Sequence, residues 1–240
     1  MNVTPDSFSD GNKYLDPKIA IAHAESLFIE GADYIDVGGE ATNPWAKPIS
    51  QDEEWLRIET IVVDLIKRWP ALVSLDSRHP AVAENFLSCG GKILNDVSGF
   101  IDPKMIELAK KYQPLCIINH FPGKDPREVH KQQINDIEIV RKDLLNKFDE
   151  LVASGFDREK IIIDPGIGFG KTADLNWRLL RFAELVPDIP VMIGYSKKRF
   201  LGENRFADEP NLKAAAIAIE SGARYLRVHD VKLVRQLLEK

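Results

Sequence analysis

The chain has 240 residues, 44% of them hydrophobic, which suits one large domain over residues 1–240 with a sizeable core. A formal charge of −5 and a pI near 5.6 argue against broad attraction to nucleic acid or to an anionic membrane surface. No apolar run approaches the roughly 20 residues of a membrane span and no charged start leads into an apolar signal segment, so a soluble, cytoplasmic protein acting on small molecules is expected.

Taken in order, the chain starts close to a functional loop, with only Met1-Asn2-Val3 where a buried strand is expected; the first strand is therefore expected to be short or truncated. Pro17 to Gly31 predicts an amphipathic helix and Ala32 to Val37 a strand, closed by Gly38-Gly39. Ser50 as N-cap with Glu53 three residues on predicts a capping box, and Trp55, Ile58, Val62 and Leu65 recur at helical spacing. Leu72–Leu75 is a strand delivering Asp76, Pro80–Ser88 a helix, Lys92–Asn95 a strand, and Pro103–Tyr112 a helix. Leu115–Ile118 forms a strand ending at Asn119-His120, and residues 121–130 read as a mobile surface loop. A helix from about Lys131 to Ala153 places Ile134, Ile137, Leu144, Phe148 and Leu151 on one face, with Gly155 as C-cap.

Lys160 to Thr172 is the most informative stretch. Three isoleucines read as a buried parallel strand, Asp164-Pro165-Gly166 ends it, and glycines at 166, 168 and 170 bring backbone close to something around Phe169. Gly170-Lys171-Thr172 ends like a phosphate loop, but Pro165 stands where that motif needs its first glycine. Gly168 to Ala173 fits the loose dinucleotide fingerprint, yet the next strand reaches Gly194-Tyr195 without the acid that would hold a ribose. Neither a nucleotide triphosphate nor a nicotinamide site is expected. A helix over about 175–186, the strand Pro190–Gly194, a helix after Ser196 continuing through Ala214–Glu220, the strand Tyr225–Val228 and the helix Val231–Leu238 complete the pattern.

Eight strands alternating with helices predict an α/β fold, a single (β/α)8 TIM barrel. Ligands in such barrels sit at the C-terminal strand ends, where Asp76, Asn95, Asp164, Ser196 and Arg227 all fall. Cys89 and Cys116 lack metal-ligand spacing and are expected as buried, reduced thiols.

Asn2-Val3-Thr4-Pro5-Asp6-Ser7-Phe8-Ser9-Asp10-Gly11, Glu40-Ala41-Thr42-Asn43-Pro44 and the Asp164 stretch, together with Asp76-Ser77, Asn95-Asp96, Ser196-Lys197-Lys198 and Arg227-Val228-His229, resemble the motifs of the dihydropteroate synthase family along almost the whole chain. That resemblance implies condensation of hydroxymethyl-dihydropterin pyrophosphate with p-aminobenzoate, dependent on Mg²⁺, in a homodimer. It implies pterin contacts from Asp76, Asn95, Asp164 and Lys198. Arg227, His229 and Asn2 would serve the pyrophosphate, Asn2 also its metal. Asp10 would stabilise the cation or receive the amine proton, and Thr42, Pro44, Phe169 and Ser196 would form the second pocket. Independently of the family, a carboxylate such as Asp164 has two acceptor oxygens that match the adjacent N–H donors of an aminopyrimidinone edge.

Asn43 and Trp45 stand where the family carries arginine and glycine, Asn119-His120-Phe121-Pro122-Gly123 replaces a methionine-rich form, and Arg199 takes a commonly small position. These departures put p-aminobenzoate affinity and sulfonamide sensitivity in question. His79 and His130 read as surface residues, and His120 shares no ligand spacing with them. A methyltetrahydrofolate-dependent corrinoid methyltransferase and a catalytically silent pterin-binding barrel are the competing readings.

Overall fold

Among the described residues, seven parallel strands lie side by side in the order in which they occur in the chain, five in one sheet and two in a second joined to it by a bridge. They are β1 (Ile35–Val37), β2 (Val73–Asp76), β3 (Ile93–Asp96), β4 (Leu115–Asn119), β5 (Ile161–Asp164), β6 (Met192–Ile193) and β7 (Tyr225–Leu226). β1 to β5 pair consecutively, a bridge from Ile163 to Val191 carries the sheet on, and β6 pairs β7. At the other edge Asn2 bridges Gly38, and the Val3 amide donates to the Gly38 carbonyl at 2.8 Å. The first strand is thus reduced to a single bridge, as expected. This computed structural model describes residues 1–4, 16–41, 47–123, 126–129 and 131–238. Asp10, Thr42, Asn43, Pro44, Trp45 and His130 lie outside the described residues.

Helices connect the strands on the outside: α1 (Pro17–Ile29), α2 (Gln51–Arg68), α3 (Pro80–Ser88), α4 (Pro103–Tyr112), α5 (Pro126–Val129), α6 (Ile137–Ala153), α7 (Ala173–Arg178), α8 (Asp208–Glu220) and α9 (Val231–Leu238). α2 shows why they form where they do. The Ser50 hydroxyl accepts the Glu53 amide at 3.1 Å, and Ile58, Ile61, Val62, Leu65 and Ile66 are buried along one face. Only this arm of the capping box is seen: the Glu53 carboxylate turns to Arg57, at 2.5 Å. Among the described residues, no helix is long and apolar enough to cross a membrane.

Period-two alternation divides each strand between two environments. Val37, Leu75, Leu94, Cys116, Ile161 and Ile163 pack outward in the main core under the helices. Ile93, Ile117, Ile162 and Met192 point inward and form a separate cluster in the lumen, with Leu115 and Tyr225 packed on it. This apolar plug is the floor of the site, and the next inward position on each strand lies at the mouth. Between β7 and β1 side chains span the gap without closing it: the Tyr34 and Tyr225 rings lie 6.3 Å apart, and Arg227 reaches Asp36. A cavity of about 560 Å³ runs from the mouth along this seam.

Several local expectations are corrected. The helix expected from Lys131 starts at Ile137, because Ile134 is taken into a bridge with Lys171. Phe121 and Val129, expected in a surface loop, are buried with Val97 against Phe169, and α5 lies within that segment. After Ser196 a 3-10 turn (Arg199–Leu201) replaces the expected helix, and α8 begins only at Asp208. The helix over 175–186 starts at Ala173 and passes into 3-10 geometry at Leu179, with a kink at Arg181. Cys116 is buried but Cys89 is exposed at the end of α3, so it is no core thiol. His79 is not a surface residue: its Nδ1 lies 2.5 Å from the carboxylate of Glu54, which is fully buried.

The turn after β3 is held by Asp96, whose carboxylate accepts from the Ser98 amide and hydroxyl and from the Phe100 amide at 2.7–2.9 Å. Gly99 sits there at φ +76, and a Cβ would overlap the Asn119 carbonyl oxygen. Gly99→Ala is expected to cost about 2 kcal/mol, from left-handed strain and displacement of a neighbouring strand's backbone. Urea denaturation measures this, and a loss below about 0.5 kcal/mol would show that the turn relaxes freely.

Candidate active site

The inward positions at the C-terminal strand ends are polar on almost every strand, and they are joined to one another. At the end of β1, Asp36 accepts the Ser74 hydroxyl at 2.6 Å, the Asn95 amide nitrogen at 3.0 Å and Arg227 Nε at 2.5 Å. The other arm of Arg227, Nη2, reaches Asp76 at 2.5 Å, and Asn119 donates to the Asn95 amide oxygen at 2.8 Å. A continuous layer therefore crosses β4, β3, β1, β7 and β2 above the isoleucine plug. Ser74 and Asp76 share β2, the other members stand on or just after separate strands, and all face the axis by the same alternation.

Asp164 closes β5, 4% exposed, with one carboxylate oxygen taken by the Gly166 amide at 2.7 Å. Burial pushes its carboxyl above the usual range, opposed mainly by the Lys198 ammonium. Lys198 follows β6 and is itself pushed down to about 8 by burial, with Asp164 working to keep it charged. Its ammonium donates to the Ile167 carbonyl at 2.6 Å and lies 5.4 Å from the Phe169 ring centre. Asp76 is pushed up to about 7 by burial, against the pull of Arg227. For Arg227, burial works against the charge, but Asp36 and Asp76 together hold it firmly protonated.

Ser196 and His229 meet at the rim, hydroxyl to Nδ1 3.1 Å, and the His229 amide also faces that hydroxyl at 3.3 Å. Arg227 and His229 both line the cavity, as two positions on one side of the pleat should, with Asn2, Ser196 and Lys198. Phe169 meets Phe121 edge-on at 5.5 Å. The structure therefore brings Asp76, Asn95, Asp164, Ser196, Lys198, Arg227 and His229 to one mouth, with Asn2 on its wall.

Asp36, Asn119 and Lys171 are the members that sequence reasoning missed. Asp36 carries a readable signal: it is an ionisable residue two positions before Gly38 and flanked by the outward-facing Ile35 and Val37, so alternation aims it into the lumen. Lys171 is buried under the glycine loop, with His120 beside it. The His120 imidazole is pushed down to about 3 by burial and by Lys171, so it is neutral in that setting.

The model of the pterin binding enzyme family matches residues 1–229. A dihydropteroate synthase of Mycobacterium leprae is 38% identical over 249 residues, covering 97% of this chain and 87% of the relative. One of Bacillus subtilis is 34% identical over 248 residues, covering 99% and 84%. The crystal structure of the Yersinia pestis dihydropteroate synthase with a sulfonamide drug complex superposes with a TM-score of 0.92 at 31% identity, covering 98% of this chain and 88% of that one. With these matches spanning nearly its whole length and a polar ring at the mouth of its barrel, this chain belongs to the dihydropteroate synthase family of pterin-binding enzymes.

Proposed function

We propose that this protein joins 6-hydroxymethyl-7,8-dihydropterin pyrophosphate to p-aminobenzoate, giving 7,8-dihydropteroate and pyrophosphate. The observation that carries this reading is Asp164, a buried carboxylate with acceptor capacity left over, set beside the half-buried Lys198, which with Arg227 lines the cavity. A planar heterocycle with adjacent N–H groups satisfies those oxygens, while Asp76 and Asn95 meet other ring edges and Lys198 the ring oxygen and N5. The related enzyme of Anaplasma phagocytophilum has been crystallised with bound 6-hydroxymethylpterin-monophosphate, which supports placing a pterin here.

In the reaction, the C–O bond between the exocyclic methylene and the pyrophosphate breaks, and its electron pair leaves with the pyrophosphate. Positive charge stays on the pterin until the amine lone pair of p-aminobenzoate forms the new C–N bond and the amine releases a proton. Arg227 and His229, at the rim, stabilise the departing anion electrostatically. Asp10 stabilises the cation or takes the proton, and Thr42, Pro44, Phe169 and Ser196 enclose the aromatic amine; of these, Phe169 and Ser196 are described and lie beside the pterin residues.

Among the described residues, no three of His, Cys, Asp and Glu gather to hold a metal. The donor set nevertheless fits a Mg²⁺ carried by pyrophosphate, because such an ion keeps several waters and needs only one or two protein oxygens. Asn2, on the cavity wall, would hold it through its amide oxygen. When bound, the ion neutralises charge developing on the leaving group. The homodimer belongs to the same proposal and is tested by light scattering.

Turnover with both substrates and Mg²⁺ is the direct test. Binding of the pterin pyrophosphate without turnover would identify a silent binder, and methyl transfer to a cobamide would overturn the reading. A further expectation concerns order: p-aminobenzoate is expected to bind appreciably only once pyrophosphate and Mg²⁺ are present, since the bound anion and its ion complete the second pocket. Calorimetric titration checks this, and tight binding to the ligand-free protein would contradict it.

A further inference from the structure

Lys171 is 8% exposed, and its ammonium donates to three backbone carbonyls: Gly166 at 2.9 Å, Phe169 at 2.9 Å and His120 at 3.2 Å. Burial pushes this amine down to about 7 while Asp164 works to keep it charged; the charged form has three N–H donors, all taken by these carbonyls, so none is left for a ligand. Lys171 therefore does not act as the lysine of a phosphate loop does. Its acceptors come from two elements, His120 following β4 and the other two in the loop after β5. The loop passes through left-handed geometry at Gly166, Gly168 and Gly170, with φ of +65, +89 and +61, and the carbonyls of Gly166 and Phe169 both turn toward the Lys171 ammonium. Converging carbonyl oxygens repel one another unless a cation lies between them, the arrangement that selects monovalent cations in carbonyl cages.

We infer that Lys171 is a built-in cation filling a carbonyl cage, and that this cage positions Asp164 and Phe169 for the pterin. The connections run both ways from it. Gly166, whose carbonyl Lys171 holds, donates its amide to the Asp164 carboxylate, and the His120 amide donates to the Asp164 carbonyl at 2.8 Å. Phe169, held by its own carbonyl, presents its ring toward Phe121 and the Lys198 ammonium. Asn176 supports the same loop by accepting from the Gly168 amide at 2.8 Å and donating to the Lys171 carbonyl at 3.3 Å. Lys171 is a positioning residue. Its part in activity rests on the pterin reading of Asp164, but the cage itself does not.

Lys171→Ala removes the ammonium and leaves room for a small cation; Lys171→Met fills the stem's volume without charge. The alanine variant is expected to raise the Michaelis constant for pterin pyrophosphate about tenfold or more with a smaller change in kcat, as loss of a supporting contact does. Ammonium or potassium chloride should recover at least about threefold of that loss relative to tetramethylammonium chloride at equal ionic strength, since only the small ions enter the cage. The methionine variant should be impaired but indifferent to the salt, as should the parent. Equal behaviour of Lys171→Ala in all three salts, or pterin affinity within about twofold of the parent, would overturn the inference. If the parent itself fails to bind or turn over a pterin, the functional reading falls, and the cage is then judged by thermal unfolding of Lys171→Ala. A midpoint raised by ammonium or potassium over tetramethylammonium supports it, and an unchanged midpoint refutes it. Soluble expression of the alanine variant only with the small cations would support it as well; failure to fold in every salt counts against it.

Discussion

Asp164→Asn is expected to lower affinity for pterin pyrophosphate about 100-fold or more while leaving the fold intact. The substitution keeps the shape, and the amide oxygen can still accept from Gly166, whose amide now meets Asp164 Oδ1 at 2.7 Å. What changes is the free edge, where an N–H donor replaces an acceptor and faces the donors of the pterin. A charge-assisted hydrogen bond is worth about 1.5–3 kcal/mol, and leaving its partner unpaired adds desolvation, so about two powers of ten follow. Lys198 suffers too. Burial already pushes it down to about 8, and Asp164 is the main group keeping it charged, so it deprotonates more readily in the variant.

Stability is expected to move the other way. The folded carboxyl of Asp164 lies above its unfolded value of 3.8, raised first by burial. Ionising it is therefore a cost to folding that sets in above the unfolded value and grows with pH until the folded value is passed. Asparagine removes that cost, so the variant should melt no lower than the parent at neutral pH. Calorimetric titration and a thermal melt on one preparation give both readings. Affinity within threefold of the parent would contradict the assignment of Asp164 to the pterin edge.

Arg227→Met is expected to lower kcat/KM about a thousandfold, from two losses that a pH profile separates. One is the fixed cation near the leaving pyrophosphate, a contribution that mutagenesis of comparable electrostatic groups puts at about 100- to 1,000-fold. The other acts on the pterin side, because Arg227 bridges Asp36 and Asp76 at 2.5 Å each. Asp76 already stands at about 7 through burial, with Arg227 the largest influence lowering it. In the parent, pterin binding should therefore strengthen as pH rises through about 7 and then level off. Without the guanidinium the carboxylate is less favoured, so this rise should move to higher pH. Arg227→Lys, which keeps a charge but lacks the fork to hold two carboxylates, should fall between. An unchanged pH profile in Arg227→Met would show that Asp76 does not depend on Arg227.

Much of this fold is punctuated locally. α3, α4 and α9 occupy the very residues that sequence predicts, Pro80–Ser88, Pro103–Tyr112 and Val231–Leu238. For α3 and α4, a proline in the first turn starts the helix, and Asp102 adds a side-chain cap to α4. The parallel strands were legible because burial on both faces requires apolar runs such as Ile161–Ile163. Where no local signal opposed a helix, tertiary contact decided: Ile134 reads as one more apolar residue at helical spacing, yet it pairs with Lys171.

The sequence by itself determined the succession of strands and helices, the barrel they imply, and the strand ends at which Asp76, Asn95, Asp164 and Arg227 stand. Those follow from propensity, caps and alternation, all of which act over a few neighbouring residues. Only the tertiary structure decided that Asp36 is the hub of the polar layer, that His79 is buried against Glu54, and that Lys171 turns away from any ligand into a cage of carbonyls. Arg227 reaches Asp36 across 191 positions of chain, and Lys171 reaches His120 across 51. The physical reason is that partners so far apart in sequence meet only when the sheet curls on itself, and it is that closure which decides the neighbours, burial and charge of every inward side chain.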